Sequence, residues 1–368
     1  MAKYIYENKN WTAFTWQDKT INSVFGEVRL MQGKIIGQMN ALGFSAKEET
    51  TLTVLTLDVV KSSEIEGEML NYDQVRSSIA RRLGINTAGI VPSSHHIEGV
   101  VEMMLDATQR STLPLTEKRL FGWHAALFPT GYSGPYEIEA GQYRTGEMQV
   151  VSGAMGKEKV HYEAVNPKLV KAEMDKFLNW FNNDKTLDLV LKAAIAHFWF
   201  IIIHPFDDGN GRIGRAIIDM LLARAEGSSE RFYSMSSQIL VERKRYYEIL
   251  QKVQHSSGDI TEWLDWFLHC IKKAMITSEN TTKKILRKAE FWKIHEHTPI
   301  NERQRLMLNK LFDGFEGKLQ TSKWAKIAKI STDTALRDIK NLVGKGILRQ
   351  TDEGGRNANY VLTDIKLE

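Results

Sequence analysis

Residues 201–219, IIIHPFDDGNGRIGRAIID, interrupt one apolar run and open another. The run before the break, AAIAHFWFIII, is apolar on every side of a helix, so residues 187–203 read as a buried helix. It is too short to cross a bilayer and contains His197. Positions 204–215 then hold one histidine, two aspartates, three glycines and two arginines before helical periodicity resumes over 210–224. Any fold must therefore bury one helix, turn sharply and begin a second with charged side chains at the junction.

GNGRIG has the spacing G-x-G-x-x-G, but a dinucleotide fingerprint needs a strand running into the first glycine and a βαβ unit around it. Here the flanks read as helical on both sides, so that fold is excluded. A helix N-terminus suits these residues better. Gly209 and Gly211 let the backbone approach a phosphate, and a helix beginning near Asn210 aims free N–H groups and its positive dipole end at an anion. Arg212 and Arg215, three apart, share a helix face and can clamp successive phosphates. Asp208 can hold a Mg²⁺ that bridges those phosphates. His204 is the one group in reach whose ordinary pKa suits it to take a proton from an attacking hydroxyl. Taken singly, each residue fits a capped turn with solvated arginines. Their concurrence within twelve positions points to phosphoryl or nucleotidyl transfer.

A chain of 368 residues predicts two or three domains. Helical periodicity dominates: expected helices cover 18–42, 47–65, 95–108, 115–128, 167–182 with Pro167 in the first turn, 242–255 and 260–285. Residues 141–165 differ, with alternating β-branched positions around a glycine-rich middle, and predict a β-hairpin. The expected division is an N-terminal helical domain over 1–94, a core over 95–285, a charged connector over 286–300 and a C-terminal domain over 301–368. In that last domain three helices precede two strands joined at Gly354-Gly355, the order of a winged helix-turn-helix.

Charge is nearly balanced, 49 Lys and Arg against 45 Asp and Glu, which does not mark the chain as a whole as a nucleic-acid binder. The excess is local: residues 301–350 carry eleven basic against five acidic residues, a net +6. Both docking of a protein and binding of duplex DNA by this domain stay open. The single cysteine, Cys270, beside Trp266 and Phe267, excludes an internal disulfide and reads as core filler. MAKYIYENKN has no apolar stretch of signal-peptide type, so the expectation is a cytoplasmic protein with no membrane partner.

His204-Pro-Phe-Asp-Asp-Gly-Asn-Gly-Arg-Ile-Gly-Arg215 resembles the signature of Fic-domain proteins, His-x-Phe-x-[Asp/Glu]-Gly-Asn-Gly-Arg-x-x-Arg, with every fixed position filled. The resemblance implies a mainly α fold, a Fic helical core with a β-hairpin flap. It also implies transfer of AMP from ATP to a Ser, Thr or Tyr hydroxyl of a protein, including the enzyme itself, with release of pyrophosphate. His204 would be the general base, Asp208 the Mg²⁺ ligand, and Asn210 with the loop amides of Gly209 and Gly211 the α-phosphate holder. Arg212 and Arg215 would bind the β- and γ-phosphates, and Phe206 would anchor the loop. The 141–165 hairpin is placed like the family's target-binding flap. RKRYYEIL resembles the segment that places a tyrosine pair near the adenine, which brings in Tyr246 and Tyr247.

SSEIEG, residues 62–67, resembles the family's inhibitory motif [Ser/Thr]-x-x-x-Glu-[Gly/Asn], with Ser62, Glu66 and Gly67 in place. Glu66 on Arg215 would occupy the guanidinium meant for the γ-phosphate. In some members the same glutamate supports removal of AMP, so a de-AMPylating hydrolase is the alternative, with a nucleotide-sensing DNA-binding regulator as a second. The whole arrangement is similar to a common bacterial organisation whose members form homodimers; no residue pattern marks an interface.

Overall fold

The structure is a computed structural model that describes residues 3–40, 44–86, 90–152, 159–312, 315, 317–351 and 358–363. After a short 3₁₀ turn at Ile5–Glu7, the helices are α1 (Asp18–Asn40), α2 (Phe44–Ile65), α3 (Tyr72–Leu83), α4 (His95–Gln109) and α5 (Glu117–Leu127). Two antiparallel pairs follow, β1 (Tyr132–Ser133) with β2 (Tyr136–Glu137), and β3 (Gln149–Ser152) with β4 (Lys159–Glu163). Then come α6 (Pro167–Asn183), α7 (Leu189–Ile203), α8 (Asn210–Glu226), α9 (Met235–Val241), α10 (Arg243–Val253) and α11 (Thr261–Ile294). The chain ends with α12 (Glu302–Phe312), α13 (Thr321–Ala328), α14 (Thr332–Gly344) and the antiparallel pair β5 (Leu348–Gln350) and β6 (Tyr360–Leu362). The fold is mainly helical with small hairpins, as expected.

Two packed units result, Met1–Ser278 and Glu279–Glu368. In the first, buried residues from Tyr4 to Met275 make one continuous core, so the helices of the first 94 residues share it with those that follow. Its centre is α7, buried on nearly every face as its all-apolar sequence requires, with α8 packed along it. Helix ends follow their local chemistry. Asp188 accepts from Val190 N–H to start α7, and Asn166 caps α6 with Pro167 in its first turn. Helix α2 lies against α8 and α9, and buried Asp58 fixes it there by accepting from Ser234 Oγ at 2.6 Å and Ser236 N–H at 3.2 Å.

The second unit has its own core, including Phe291, Met307, Trp324, Ile339 and Tyr360. Several elements differ from expectation, among them α9, which no expected helix covers. Helix α11 continues to Ile294, so the stretch expected as a connector over 286–300 is helical throughout its first half. Its Lys, Arg, Ala, Leu and Glu are strong helix formers, and Phe291 is buried against the second core. Helix α3 was not expected, because only Val75 and Ile79 mark its buried face besides serines and Ala80. The β1–β2 pair is two residues long on each side, below what alternation can signal. The glycine-rich middle of the 141–165 hairpin and the Gly354-Gly355 junction lie outside the described residues.

Candidate active site

Helix α7 stops at His204, which takes the left-handed backbone conformation (φ 52°, ψ 61°) while its N–H still donates to Phe200 O. Holding a non-glycine residue there needs support from its surroundings. Arg144 supplies it: its Nε donates to His204 O at 2.7 Å, its backbone N–H to Pro205 O at 2.9 Å and its Nη2 to Ile203 O at 3.5 Å. The same guanidinium donates to Gly146 O at 2.7 Å and to Val165 O, the two stems of the β3–β4 hairpin. Arg144 is 2% exposed, and among the described residues its side chain has backbone carbonyls as partners. It fastens the hairpin to the His204–Pro205 peptide.

Phe206 is fully buried and stacks on His124 with centroids 4.3 Å apart. His124 is itself pinned, accepting from Gly141 N–H at 2.9 Å, and burial pushes its pKa down to about 4. Asn210 closes the loop from inside: its Oδ1 accepts from Phe206 N–H at 3.0 Å and its Nδ2 donates to Phe206 O at 2.7 Å. The side chain expected to hold an α-phosphate is thus committed to shaping the loop. The first-turn N–H groups of α8 are the donors that this arrangement leaves for an anion. Gly209, at φ 80°, is the N-cap of that helix and provides no side-chain acceptor for them.

Burial pushes the His204 pKa down to about 4, with the Ile201 carbonyl opposing. Nδ1 lies 3.3 Å from that carbonyl, which can only accept, so Nδ1 carries the hydrogen and Nε2 keeps the free lone pair. A neutral imidazole with Nε2 available is the form a general base requires. Asp208 accepts from Gly209 N–H at 2.5 Å and from Ser133 Oγ, and its side chain is 43% exposed.

Arg215 is 1% exposed; its Nε and Nη2 donate to Ser62 Oγ and O, both at 2.8 Å, and Nη2 meets Glu66 Oε1 at 2.7 Å. Arg212 lies over the Phe128 ring at 5.0 Å and meets Glu68 Oε2 at 2.9 Å. Its contact with Asp208 is looser, 3.9 Å. Arg215 Nη1 and Arg212 Nε are buried donors without a partner among the described residues. The turn at Gly67 (φ 87°), with Glu66 and Glu68 N–H groups donating to Ser63 O, brings the segment over α8.

Tyr246 and Tyr247 touch edge to face, with centroids 5.0 Å apart, but differ in burial. Tyr246 is 2% exposed, donates to or accepts from His197 Nε2 at 2.9 Å and packs on Trp263 and Trp266, so core packing accounts for its position. Tyr247 is 41% exposed, and the Glu66 and Arg215 charges act on its hydroxyl. Sequence reasoning missed Arg144, Glu68, His124 and Ser133. Arg144 stands beside hairpin residues as surface charges do, and Glu68 falls one position outside the 62–67 motif, so neither carried a signal.

Comparison with known proteins fits this geometry. The Fic/DOC family matches residues 114–222, and a domain of unknown function (DUF4172) matches residues 4–85. The protein adenylyltransferase Fic of Drosophila virilis is 27% identical over 221 residues, 59% of this chain and 41% of that protein. Its counterpart in Drosophila grimshawi is 28% identical over the same shares. The match thus spans about two fifths of the length of these curated relatives. Among solved structures, a Fic family protein from Desulfovibrio desulfuricans shares the fold at TM-score 0.53 and 20% identity, covering 95% of this chain and 97% of that one. A Fic-domain signaling protein from Bacteroides thetaiotaomicron does so at TM-score 0.53 and 19% identity, covering 70% of this chain and 97% of that one. The helix broken at His204, the loop closed by Asn210 and the second helix bearing Arg212 and Arg215 all lie within residues 114–222, the part of this mainly helical chain that matches the Fic/DOC family.

Proposed function

We propose that the chain transfers AMP from ATP to a hydroxyl of a protein and that Glu66 restrains the reaction. The observation that carries this reading is the placement of His204 just before the N-terminus of α8, whose first two turns bear two buried arginines. The acceptor oxygen attacks the α-phosphorus, His204 Nε2 takes the hydroxyl proton, and the α–β anhydride bond breaks with its electron pair leaving on pyrophosphate. The first-turn N–H groups of α8 hold the α-phosphate, and Arg212 and Arg215 hold the outer phosphates. The relatives named protein adenylyltransferase support the same chemistry.

Among the described residues no group of three or more His, Cys, Asp or Glu is placed to hold a metal by itself. Magnesium brought by a nucleotide needs only one or two carboxylates beside the phosphates, and Asp208, part-exposed next to α8, fits that role. When bound, the ion would neutralise charge on the departing pyrophosphate. Target binding falls to the β3–β4 hairpin, a two-stranded antiparallel pair that an extended segment can lengthen by main-chain hydrogen bonds. Among the described residues no helix is long and apolar enough to cross a membrane.

For the second unit we propose a winged helix-turn-helix: three helices precede a strand pair, with Arg337 and Lys340 exposed on α14 and Arg349 on β5. We assign it the recruitment of the transferase to its partner. Mass spectrometry of a host lysate incubated with ATP and the Glu66→Gly variant tests the proposal. AMP-modified Ser, Thr or Tyr peptides are expected above the wild-type level, and their absence would overturn it.

A further inference from the structure

One charged contact on α8 plays no part in the restraint exerted by Glu66. The turn after α2 is closed by Glu66 and Glu68 N–H groups on Ser63 O and by Gly67 N–H on Glu64 O, all at 3.0 Å. It sends its two carboxylates to two different arginines, Glu66 to Arg215 at 2.7 Å and Glu68 to Arg212 at 2.9 Å. Those arginines stand one turn apart on the same face of α8. The other oxygen of Glu68 meets His96 Nε2 on α4, so Glu68 is held from both sides. The Arg212 side chain is 6% exposed and that of Glu68 33%. The guanidinium is thus the more buried partner and the carboxylate the more exposed one.

We propose that Glu68 is a specificity-determining residue of the nucleotide site, a second carboxylate that competes with the phosphate chain for Arg212. Phosphate oxygens can reach the inner edge of that guanidinium only when Glu68 gives way, and its negative charge opposes their approach. With both arginines engaged, the resting site gains little from phosphates beyond the first and binds a nucleoside monophosphate nearly as well as a triphosphate. Removing Glu66 alone frees one of two clamps. The inference rests on the assignment of Arg212 and Arg215 to the phosphates, but it concerns binding selectivity and not the transfer step.

Calorimetric titration of the full chain with AMP and with α,β-methylene-ATP, each with Mg²⁺, tests it in wild type, Glu66→Gly, Glu68→Gln and the double variant. Glu68→Gln keeps the shape of the side chain, and Glu68→Ala serves as a second probe. Expected is a gain of about tenfold in triphosphate affinity from either Glu68 variant, repeated on top of Glu66→Gly, with AMP affinity constant within about twofold. Unchanged or weaker triphosphate binding in both Glu68 variants would overturn the inference, because Glu68 would then merely hold Arg212 in place. A gain in selectivity without AMP transfer in the double variant would sink the proposed reaction and leave this inference standing. Transfer by Glu66→Gly with no effect of Glu68 would do the reverse.

Discussion

Gly211 makes room for Glu66: a Cβ built on residue 211 would lie 2.0 Å from Glu66 Oε1. Gly211 belongs to the loop and helix start expected to approach a phosphate. One missing side chain therefore serves two competitors, the carboxylate seen here and the phosphate chain of the proposed substrate.

Ser62 orients the restrained arginine through its hydroxyl, which accepts from Arg215 Nε at 2.8 Å, while the backbone carbonyl contact does not depend on the side chain. Ser62→Ala removes one charge-assisted hydrogen bond of two and leaves Glu66 in place. The expected result is AMP transfer raised about three- to tenfold over wild type and well below Glu66→Gly. A rate equal to that of Glu66→Gly would show that Ser62, and not Glu66, is the main restraint.

The depressed pKa of His204 sets a pH profile. Below about 4 the imidazole is protonated and cannot accept the hydroxyl proton; above it the base is already free. The kcat/KM of Glu66→Gly for ATP is therefore expected to be flat from about pH 5.5 to 8 and to fall only towards pH 4. An acid limb with its midpoint at 6.5 or higher would place the histidine in a more open environment than the one seen.

Phe206 ties the loop to the core through His124 and Tyr143. Phe206→Ala is expected to lower stability by about 3–5 kcal/mol, read from the denaturant midpoint at constant slope, since the fully buried ring leaves a cavity. A loss under about 1 kcal/mol would mean that Asn210 and Arg144 hold the loop without it.

The centre of the site was legible because its parts are contiguous: His204, Asp208, Gly209, Asn210 and the two arginines fall within twelve positions of one turn and one helix start. Helices such as α1, α6 and α8 were legible for the same reason, through periodicity and caps. What the sequence hid is long-range. Arg144 looks like any hairpin charge until folding buries it on four carbonyls from two segments. The pairing of Glu68 with Arg212 spans 144 positions and leaves no periodic trace. Likewise no pattern announces that the polar atoms of Asn210 and Tyr246 meet Phe206 and His197 on burial.

The most direct test of the restrained transferase is incorporation of α-labelled ATP into protein by wild type, Glu66→Gly and Glu66→Gly/His204→Ala. Glu66→Gly is expected to label protein about ten- to a hundredfold faster than wild type, and the double variant to fall back by at least about a hundredfold while still binding ATP. Equal labelling by wild type and Glu66→Gly, or undiminished labelling without His204, would contradict it.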